Sequence, residues 1–286
     1  MTTPPDGPHP AGDTVTAESA TLPLADGDIY VRQDGPSDAA ALLLIHGSGA
    51  STRSWDWLVP LLSTSYHVVR IDLLGHGRSA KPDDGDYGIP AQARRAAAAL
   101  DRLGLQHVVA VGHSSGGYTA AALAGQRPGQ VAALALIDTG PALNAFIAQE
   151  GAMEPAQWPL LTDEQIRMAA SSGFSRAGYQ IPQQFLDDVR AMTYHTFTAT
   201  MRASRAYIQQ QTLPEQLAPL ARPLLVIFGE DDRRWRSSSA ADYHAVPGAQ
   251  VEMLAGVGHS PILEDPPRTA ALLLGFADRL PLGDRS

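Results

Sequence analysis

The chain of 286 residues is long enough for one large α/β domain, or for one domain with an insertion, and its 44% apolar content can fill a substantial core. The formal net charge of −9 and the pI of about 5.4 argue against a nucleic-acid binder or an anionic-membrane binder, because both need a basic surface. The absence of cysteine excludes disulfides, thiolate metal sites and cysteine nucleophiles.

Residues 1–16 are rich in proline, glycine and aspartate, and they carry neither a basic start nor an apolar run. They predict a disordered lead rather than a signal peptide. No apolar stretch of the sequence approaches the roughly 18 residues that a membrane span needs. A cytoplasmic protein with no nucleic-acid and no membrane partner is therefore expected, and a homodimer is left open as its assembly state.

Short apolar runs typical of strands alternate with helical patterns from residue 21 onward. The predicted strands are residues 21–24 and 29–32, which flank an Asp26-Gly27 hairpin turn, and residues 41–45, 68–73, 108–111, 131–137, 224–228 and 251–254. Helical spacing covers residues 54–62, 91–103 and 115–125, and Asp265 caps a final helix. This alternation predicts an α/β fold with a mostly parallel, eight-stranded sheet flanked by helices.

The alternation stops between residues 141 and 221, where helical patterns occur without a clear strand. Thr162 and Gln165 have the spacing of a capping box, and Pro182 opens a long helical pattern that extends to Met201. We predict that residues 141–221 form a helical lid, inserted after the sixth strand into a core of residues 17–140 and 222–286.

The most informative stretch is residues 108–117, where four β-prone residues lead into Gly112-His113-Ser114-Ser115-Gly116. A G-x-S-x-G pattern between a strand and an alanine-rich helix indicates a nucleophile elbow. Such a sharp turn needs small neighbours and strains the serine backbone, and as a result the hydroxyl projects beyond the main chain. Ser114 is therefore the predicted nucleophile.

An acid and a histidine follow later strands, at the same edge of the predicted sheet. Asp232 comes after residues 224–228 and His259 comes after residues 251–254, so the chain has the order serine, aspartate, histidine. The imidazole can accept the serine proton, and the carboxylate can hold the imidazole in the required tautomer. Asp231 is the first alternative for the acid, and Asp138, after the sixth strand, is the second.

The turn after the third strand reads His46-Gly47-Ser48-Gly49 and is expected at the same edge. A developing oxyanion needs backbone N–H donors, and we predict that Ser48 and Ser115 supply them. The glycines on either side of Ser48 allow the turn to approach the nucleophile closely.

These motifs together resemble the α/β-hydrolase fold family in its lid-bearing, single-domain form. The resemblance covers about residues 20–282 and rests on five motifs in order, at residues 46–49, 72–79, 112–117, 229–232 and 258–266. It implies a serine hydrolase that forms an acyl-enzyme, since relatives that dehalogenate alkanes or open epoxides carry aspartate at the elbow. Hydrolysis of a carboxylic ester, lactone or thioester is the expected reaction.

Three alternatives to ester hydrolysis stay open. Residues 46–51 resemble the corresponding turn of ring-cleavage-product hydrolases, which favours hydrolysis of a carbon–carbon bond next to a carbonyl. The second alternative is acyl transfer, in which a pocket that excludes water lets an alcohol or amine react in place of water. A catalytically silent binding protein comes last, because no triad residue is missing.

The expected partner is a small acyl substrate with an apolar portion. Candidate contacts to it are Gly47, Gly49, His113, Trp158, Met192, His195 and Phe197, and Phe174 and Met201 are candidates for an apolar pocket wall. Arg234 belongs to a basic cluster after the acid that could recognise an anionic group or could simply be solvated. No metal and no cofactor are predicted, because neither metal-ligand spacing nor a phosphate-binding glycine loop occurs.

Overall fold

The structure, a computed structural model, describes residues 18–148 and 154–281, so the predicted lead at residues 1–16 lies outside the described residues. The strands are β1 (Glu18–Leu22), β2 (Ile29–Asp34), β3 (Ala41–Ile45), β4 (His67–Ile71), β5 (Val108–His113), β6 (Val131–Ile137), β7 (Leu224–Gly229) and β8 (Gln250–Leu254). They form one eight-stranded sheet in the order β1-β2-β4-β3-β5-β6-β7-β8. Only β1 and β2 run antiparallel to their neighbours, so the predicted mostly parallel sheet is confirmed.

Helices cover the faces of the sheet and fill the long connection between β6 and β7. The α-helices are α1 (Val59–Leu62), α2 (Ile89–Arg102), α3 (Ser115–Gln126), α4 (Asp163–Ala170), α5 (Gln183–Arg190), α6 (Tyr194–Gln209), α7 (Leu213–Leu217), α8 (Pro261–Glu264) and α9 (Pro266–Ala277). Short 3-10 helices cover Thr52–Trp55, Leu143–Ala145, Pro155–Leu160, Ser171–Gly173, Ala218–Leu220 and Ser237–Ala245.

Two predicted helices are each divided into two shorter ones. Residues 54–62 do not form one helix, because Pro60 has no N–H to donate and instead occupies the first turn of α1. The long pattern that begins at Pro182 is divided between α5 and α6, because the Thr193 side chain accepts a hydrogen bond from the N–H of Thr196 and caps a new helix there. The capping box at Thr162 forms as expected at the start of α4.

The central strands are buried on both faces, which explains why they read as continuous apolar runs. In β3, for example, Leu43 and Ile45 pack into one apolar layer and Leu42 and Leu44 into the other, as side chains that alternate across a sheet must. Within residues 18–148 and 154–281, no helix is both long and apolar enough to cross a membrane. The carboxyl ends of the parallel strands meet at one edge of the sheet, and the candidate site lies there.

Candidate active site

Ser114 occupies the tight turn between β5 and α3. Its backbone has φ 52° and ψ −124°, a positive φ that non-glycine residues rarely adopt. A side chain at Gly112 would collide with the main chain of Gly117, and one at Gly116 would collide with the carbonyl of Ile45. Close packing therefore requires both glycines of the elbow, and the strained turn places the Ser114 hydroxyl beyond the end of the strand.

Ser114, His259 and Asp232 form a continuous hydrogen-bonded row. Nε2 of His259 lies 2.9 Å from Oγ of Ser114, and Nδ1 of His259 lies 2.9 Å from Oδ2 of Asp232. Because a carboxylate can only accept, Nδ1 carries the ring proton and Nε2 can accept the proton of the Ser114 hydroxyl. His259 and Asp232 are buried, whereas Ser114 is partly exposed. The structure therefore brings these three predicted residues together.

The other oxygen of Asp232 anchors the carboxylate in the turn after β7. Oδ1 accepts hydrogen bonds from the N–H groups of Arg234 at 2.6 Å and Trp235 at 3.1 Å. Burial by itself would raise the pKa of Asp232, but the neighbouring His259 and these hydrogen bonds hold that pKa below its ordinary value. The charged carboxylate can therefore stabilise a protonated imidazole beside it.

The two alternative acids occupy different positions. Asp231 is exposed, and its side chain lies outside the buried row. Asp138 is fully buried at the end of β6, and its Oδ1 accepts a hydrogen bond from the N–H of Gly229 at 2.9 Å. The carboxylate that accepts from His259 belongs to Asp232.

Ser48 and Ser115 lie next to each other beside Ser114. Their Oγ atoms lie 2.9 Å apart, and the turn that carries Ser48 is so close that a Cβ on Gly47 would lie 3.1 Å from Cβ of Ser114. Ser115 is the first residue of α3, where a main-chain N–H has no intrahelical acceptor and the helix dipole favours negative charge. This corner of the site is therefore suited to an oxyanion.

Three further histidines are buried around the site and are held neutral. Nε2 of His113 lies 2.8 Å from the main-chain carbonyl of His259 and so donates to it, and Nε2 of His46 accepts from the N–H of Leu73 at 3.0 Å. Burial, with repulsion from His259, lowers the pKa of His113 to about 3. Burial also lowers the pKa of His46 and, with repulsion from His46, lowers that of His76 well below its ordinary value.

We expect the melting temperature to fall as the pH drops from 6.5 to about 5. The pKa values of His46, His76 and His113 are lower in the folded chain than the ordinary 6.5 of an unfolded one, so the unfolded chain binds more protons over this interval. The free energy of unfolding should therefore fall by up to about 1.4 kcal/mol per pH unit for each histidine, and Asp138, whose pKa is raised in the folded chain, should offset part of this fall. Thermal denaturation across this range measures the slope.

The control for this slope is the exposed His107. The variant His107→Gln should keep the slope of the wild-type protein, whereas His113→Gln should flatten it. A melting temperature that stays constant from pH 6.5 to about pH 5 would contradict the neutral state of the buried histidines.

A cavity opens directly onto Ser114, and its walls come from both apolar layers of the protein. Side chains from one layer include Tyr118, Phe146, Ile208 and Trp235, and those from the other include Ala170, Phe174, Phe185, Ile262 and Leu263. Arg205 and Arg234 also line the cavity, whereas no Asp or Glu does so among the described residues. The lining of the cavity is mostly apolar.

The structure divides the predicted substrate contacts into two groups. Gly47, His113, Phe174 and Met201 line the cavity. Gly49, Trp158, Met192, His195 and Phe197 lie outside the lining of this cavity, as far as the structure describes it.

Four of these residues take part in packing within the insertion or against its neighbours. The rings of Trp158 and Phe197 pack together at 4.8 Å between centroids, and the indole N–H of Trp158 donates to the carbonyl of Met192. His195 packs edge-on against Tyr87 at 5.8 Å, on another surface. These side chains support the insertion from outside the cavity.

Sequence reasoning missed several lining residues, among them Tyr118, Phe146, Phe185, Trp235, Ile262 and Leu263. For three of these, a signal was available. Ile262 and Leu263 follow His259 within its own motif, and Trp235 follows the predicted acid by three residues. Their short distance along the chain from two predicted site residues could have suggested a place in the cavity wall.

Two buried carboxylates attach the insertion to the loops of the site. Asp188 on α5 accepts a hydrogen bond from the Ser51 hydroxyl at 2.7 Å and pairs with Arg53 at 2.5 Å, in the segment that follows the Ser48 turn. This pair holds α5 against the side of the site that carries Ser48.

Glu264 provides the second attachment, on the histidine side. Its carboxylate accepts from the main-chain N–H groups of Ser175 at 2.9 Å and Arg176 at 2.6 Å, both in the insertion. It also accepts from those of Gly258 at 3.3 Å and Ser260 at 3.2 Å, on either side of His259. The insertion thus contacts both halves of the site through buried carboxylates in which each oxygen accepts at least one hydrogen bond.

Comparison with known proteins agrees with this architecture. A sequence profile of the alpha/beta hydrolase fold matches residues 40–266, so the chain belongs to the alpha/beta hydrolase fold family. It is 32% identical over 257 residues to an uncharacterized protein of Mycobacterium tuberculosis, covering 83% of this chain and 75% of that protein. It is 30% identical over 276 residues to Lipase 3 of Moraxella sp., covering 92% of this chain and 85% of that one.

Among solved structures, the chain is similar to a membrane phospholipase A described as a bacterial virulence factor. The TM-score is 0.78 with 26% sequence identity, and the match covers 92% of this chain and 86% of that one. Together with the family match, these lipase relatives identify the chain as a hydrolase.

Proposed function

We propose that this protein hydrolyses carboxylic esters, lactones or thioesters through a serine acyl-enzyme. The observation that carries the proposal is the hydrogen-bonded row of Ser114, His259 and Asp232, because it combines a nucleophile, a base and a carboxylate in the required order. The lipase relatives favour esters within this class.

In the first half of the proposed reaction, Ser114 Oγ attacks the substrate carbonyl while Nε2 of His259 takes its proton. Asp232 accepts from Nδ1 throughout and stabilises the imidazolium that forms. The negative oxygen of the tetrahedral intermediate is held by the N–H groups of Ser48 and Ser115. His259 then returns the proton to the leaving alcohol, and an acylated Ser114 is left behind.

In the second half, a water molecule takes the place of the alcohol. His259 removes a proton from this water as its oxygen attacks the acyl carbon, and the same donors stabilise the second oxyanion. Collapse of that intermediate breaks the bond to Ser114 Oγ, which regains its proton from His259. The carboxylic acid leaves, and the row returns to its starting state.

The insertion, residues 141–221, is proposed to act as a lid that forms one side of the acyl-binding cavity. Phe174, Phe185 and Met201 support this role because all three belong to the insertion and line the cavity. A mostly apolar lining favours an ester whose acyl chain is longer than acetate.

A panel of p-nitrophenyl esters from acetate to decanoate, together with a fluorophosphonate, tests this function. We expect saturable turnover, a higher kcat/KM for medium chains than for acetate, and one fluorophosphonate label per chain, mapped to Ser114 by peptide mass spectrometry. A folded protein that turns over no ester and takes no label would overturn the proposal. Cleavage of a vinylogous diketone without any ester turnover would instead support carbon–carbon bond hydrolysis.

A further inference from the structure

Asp138, at the end of β6, is a buried carboxyl group for which the proposed reaction has no use. Its side chain is inaccessible to solvent, and its backbone has φ 45°, a conformation that costs free energy for a non-glycine residue. Oδ1 accepts one hydrogen bond, from the N–H of Gly229 at 2.9 Å. Oδ2 is buried and has no hydrogen-bond partner among the described residues. Buried oxygens are rarely left in this state.

A second carboxyl group and an imidazole lie directly beside Asp138. Asp138, Asp232 and His259 are all buried. One carboxylate oxygen of each aspartate and one ring nitrogen of the histidine lie within 4.8 Å of one another. Two carboxylates this close in a buried site cannot both stay ionised without a large repulsive cost, so one of them retains its proton. Glu264 also faces Asp138 and adds to the negative potential there.

The hydrogen bonds identify which of the two carboxyls is neutral. Asp232 accepts from two main-chain N–H groups and from His259, and each of these favours its charged form. Asp138 accepts one hydrogen bond, from the N–H of Gly229, and its Oδ2 accepts none among the described residues. Burial and then the charge of Asp232 raise the pKa of Asp138 well above its ordinary value, in agreement with this assignment.

We propose that Asp138 is a protonated carboxylic acid that donates a hydrogen bond from Oδ2 to the Asp232 carboxylate. Asp138 is thereby a positioning residue: it exchanges no proton with the substrate, and it acts through the carboxylate that orients His259. This role rests on the proposed function, whereas the protonation state of Asp138 can be tested independently of it. Two groups that would both be acceptors if ionised then form a donor–acceptor pair, and Oδ2 of Asp138 gains a partner.

The variant Asp138→Asn distinguishes a neutral from a charged Asp138. Asparagine keeps an oxygen for the N–H of Gly229 and an N–H donor for Asp232, so kcat/KM should stay within about threefold of the wild-type value. The midpoint of the acidic limb of the kcat/KM profile should also stay unchanged, because no charge has been removed. A shift of this midpoint to lower pH would overturn the proposal, since it would mean that a negative charge beside the imidazole had been lost.

The variant Asp138→Ala removes the donor and should lower kcat by about tenfold. The acidic limb of the kcat/KM profile should move to higher pH, because the Asp232 carboxylate, without this donor, stabilises the protonated imidazole more strongly. Circular dichroism confirms that this variant is folded. Equal kcat values for folded Asp138→Ala and Asp138→Asn would overturn the positioning role. The exposed neighbour variant Asp231→Asn serves as a control for a general change in charge and should match the wild-type profile.

Infrared difference spectroscopy measures the protonation state without any turnover. Wild-type protein at neutral pH should show the carbonyl stretch of a protonated carboxyl group, and Asp138→Asn should lack it. Absence of the band from the wild-type protein, or its persistence in Asp138→Asn, would overturn the proposal. If the ester and fluorophosphonate tests fail while this band behaves as expected, the proposed function is wrong and the proton assignment stands.

Discussion

Replacing Ser114 with alanine should lower kcat for a p-nitrophenyl ester by at least about 10³-fold, because the nucleophile of the acyl-enzyme is lost while binding and the oxyanion donors remain. KM should change little, since Ser114 contributes only its hydroxyl to a cavity with many other lining residues. Fluorophosphonate labelling should disappear in the same variant. Burst kinetics and intact-protein mass spectrometry measure both effects on the purified protein.

The neighbouring Ser115 offers a matched control. Its hydroxyl lies 2.9 Å from that of Ser48, but its proposed contribution to the reaction is a main-chain N–H, which alanine retains. Ser115→Ala should therefore keep activity within about tenfold and keep the label at Ser114. Ser114→Ala with undiminished turnover, or a label that maps to Ser115, would exclude the proposed nucleophile.

Replacing Asp232 with asparagine should lower kcat by about 10³- to 10⁴-fold. The reason lies in the two sides of the carboxylate: one oxygen faces the N–H groups of Arg234 and Trp235, and the other faces Nδ1 of His259. The amide oxygen of asparagine must face the two N–H groups, so its NH₂ group faces Nδ1. The imidazole is then forced to carry its proton on Nε2, where it cannot accept the proton of Ser114.

Asp231→Asn is the comparison for this variant, because Asp231 is adjacent in sequence and was the first alternative acid. Its side chain is exposed, and we expect a change in kcat of less than about threefold. Melting temperatures of both variants exclude a general loss of fold. A large loss in Asp231→Asn, with Asp232→Asn near wild-type activity, would reverse the assignment of the acid.

The strand-to-helix turns carry the strongest local signals in this sequence. Apolar runs that end in glycine-rich turns predict buried parallel strands, and the strands at Ala41–Ile45 and Val131–Ile137 have the predicted bounds. Because parallel strands place their carboxyl ends at one edge, the sequence order alone predicted that Ser114, Asp232 and His259 would lie close together. The hydrogen-bonded row in the structure agrees with that expectation.

The contacts of the insertion could not be predicted in the same way. A helical pattern indicates which side of a helix is apolar, but it does not indicate which neighbour covers that side. The rings of Trp158 and Phe197 pack on each other, and the indole N–H of Trp158 donates to the main-chain carbonyl of Met192. Phe174 is also an aromatic residue of the insertion, but it lines the cavity.

The family, the order of the sheet-edge motifs and the residues proposed for attack could be predicted from the sequence. Each of them depends on local backbone geometry and on the rule that parallel strands end together. The lining of the cavity, the two carboxylate attachments of the insertion and the place of Asp138 beside Asp232 became visible in the folded chain alone. Those features depend on side chains that are distant in the chain and meet through close packing. No periodicity or spacing in one sequence encodes that meeting.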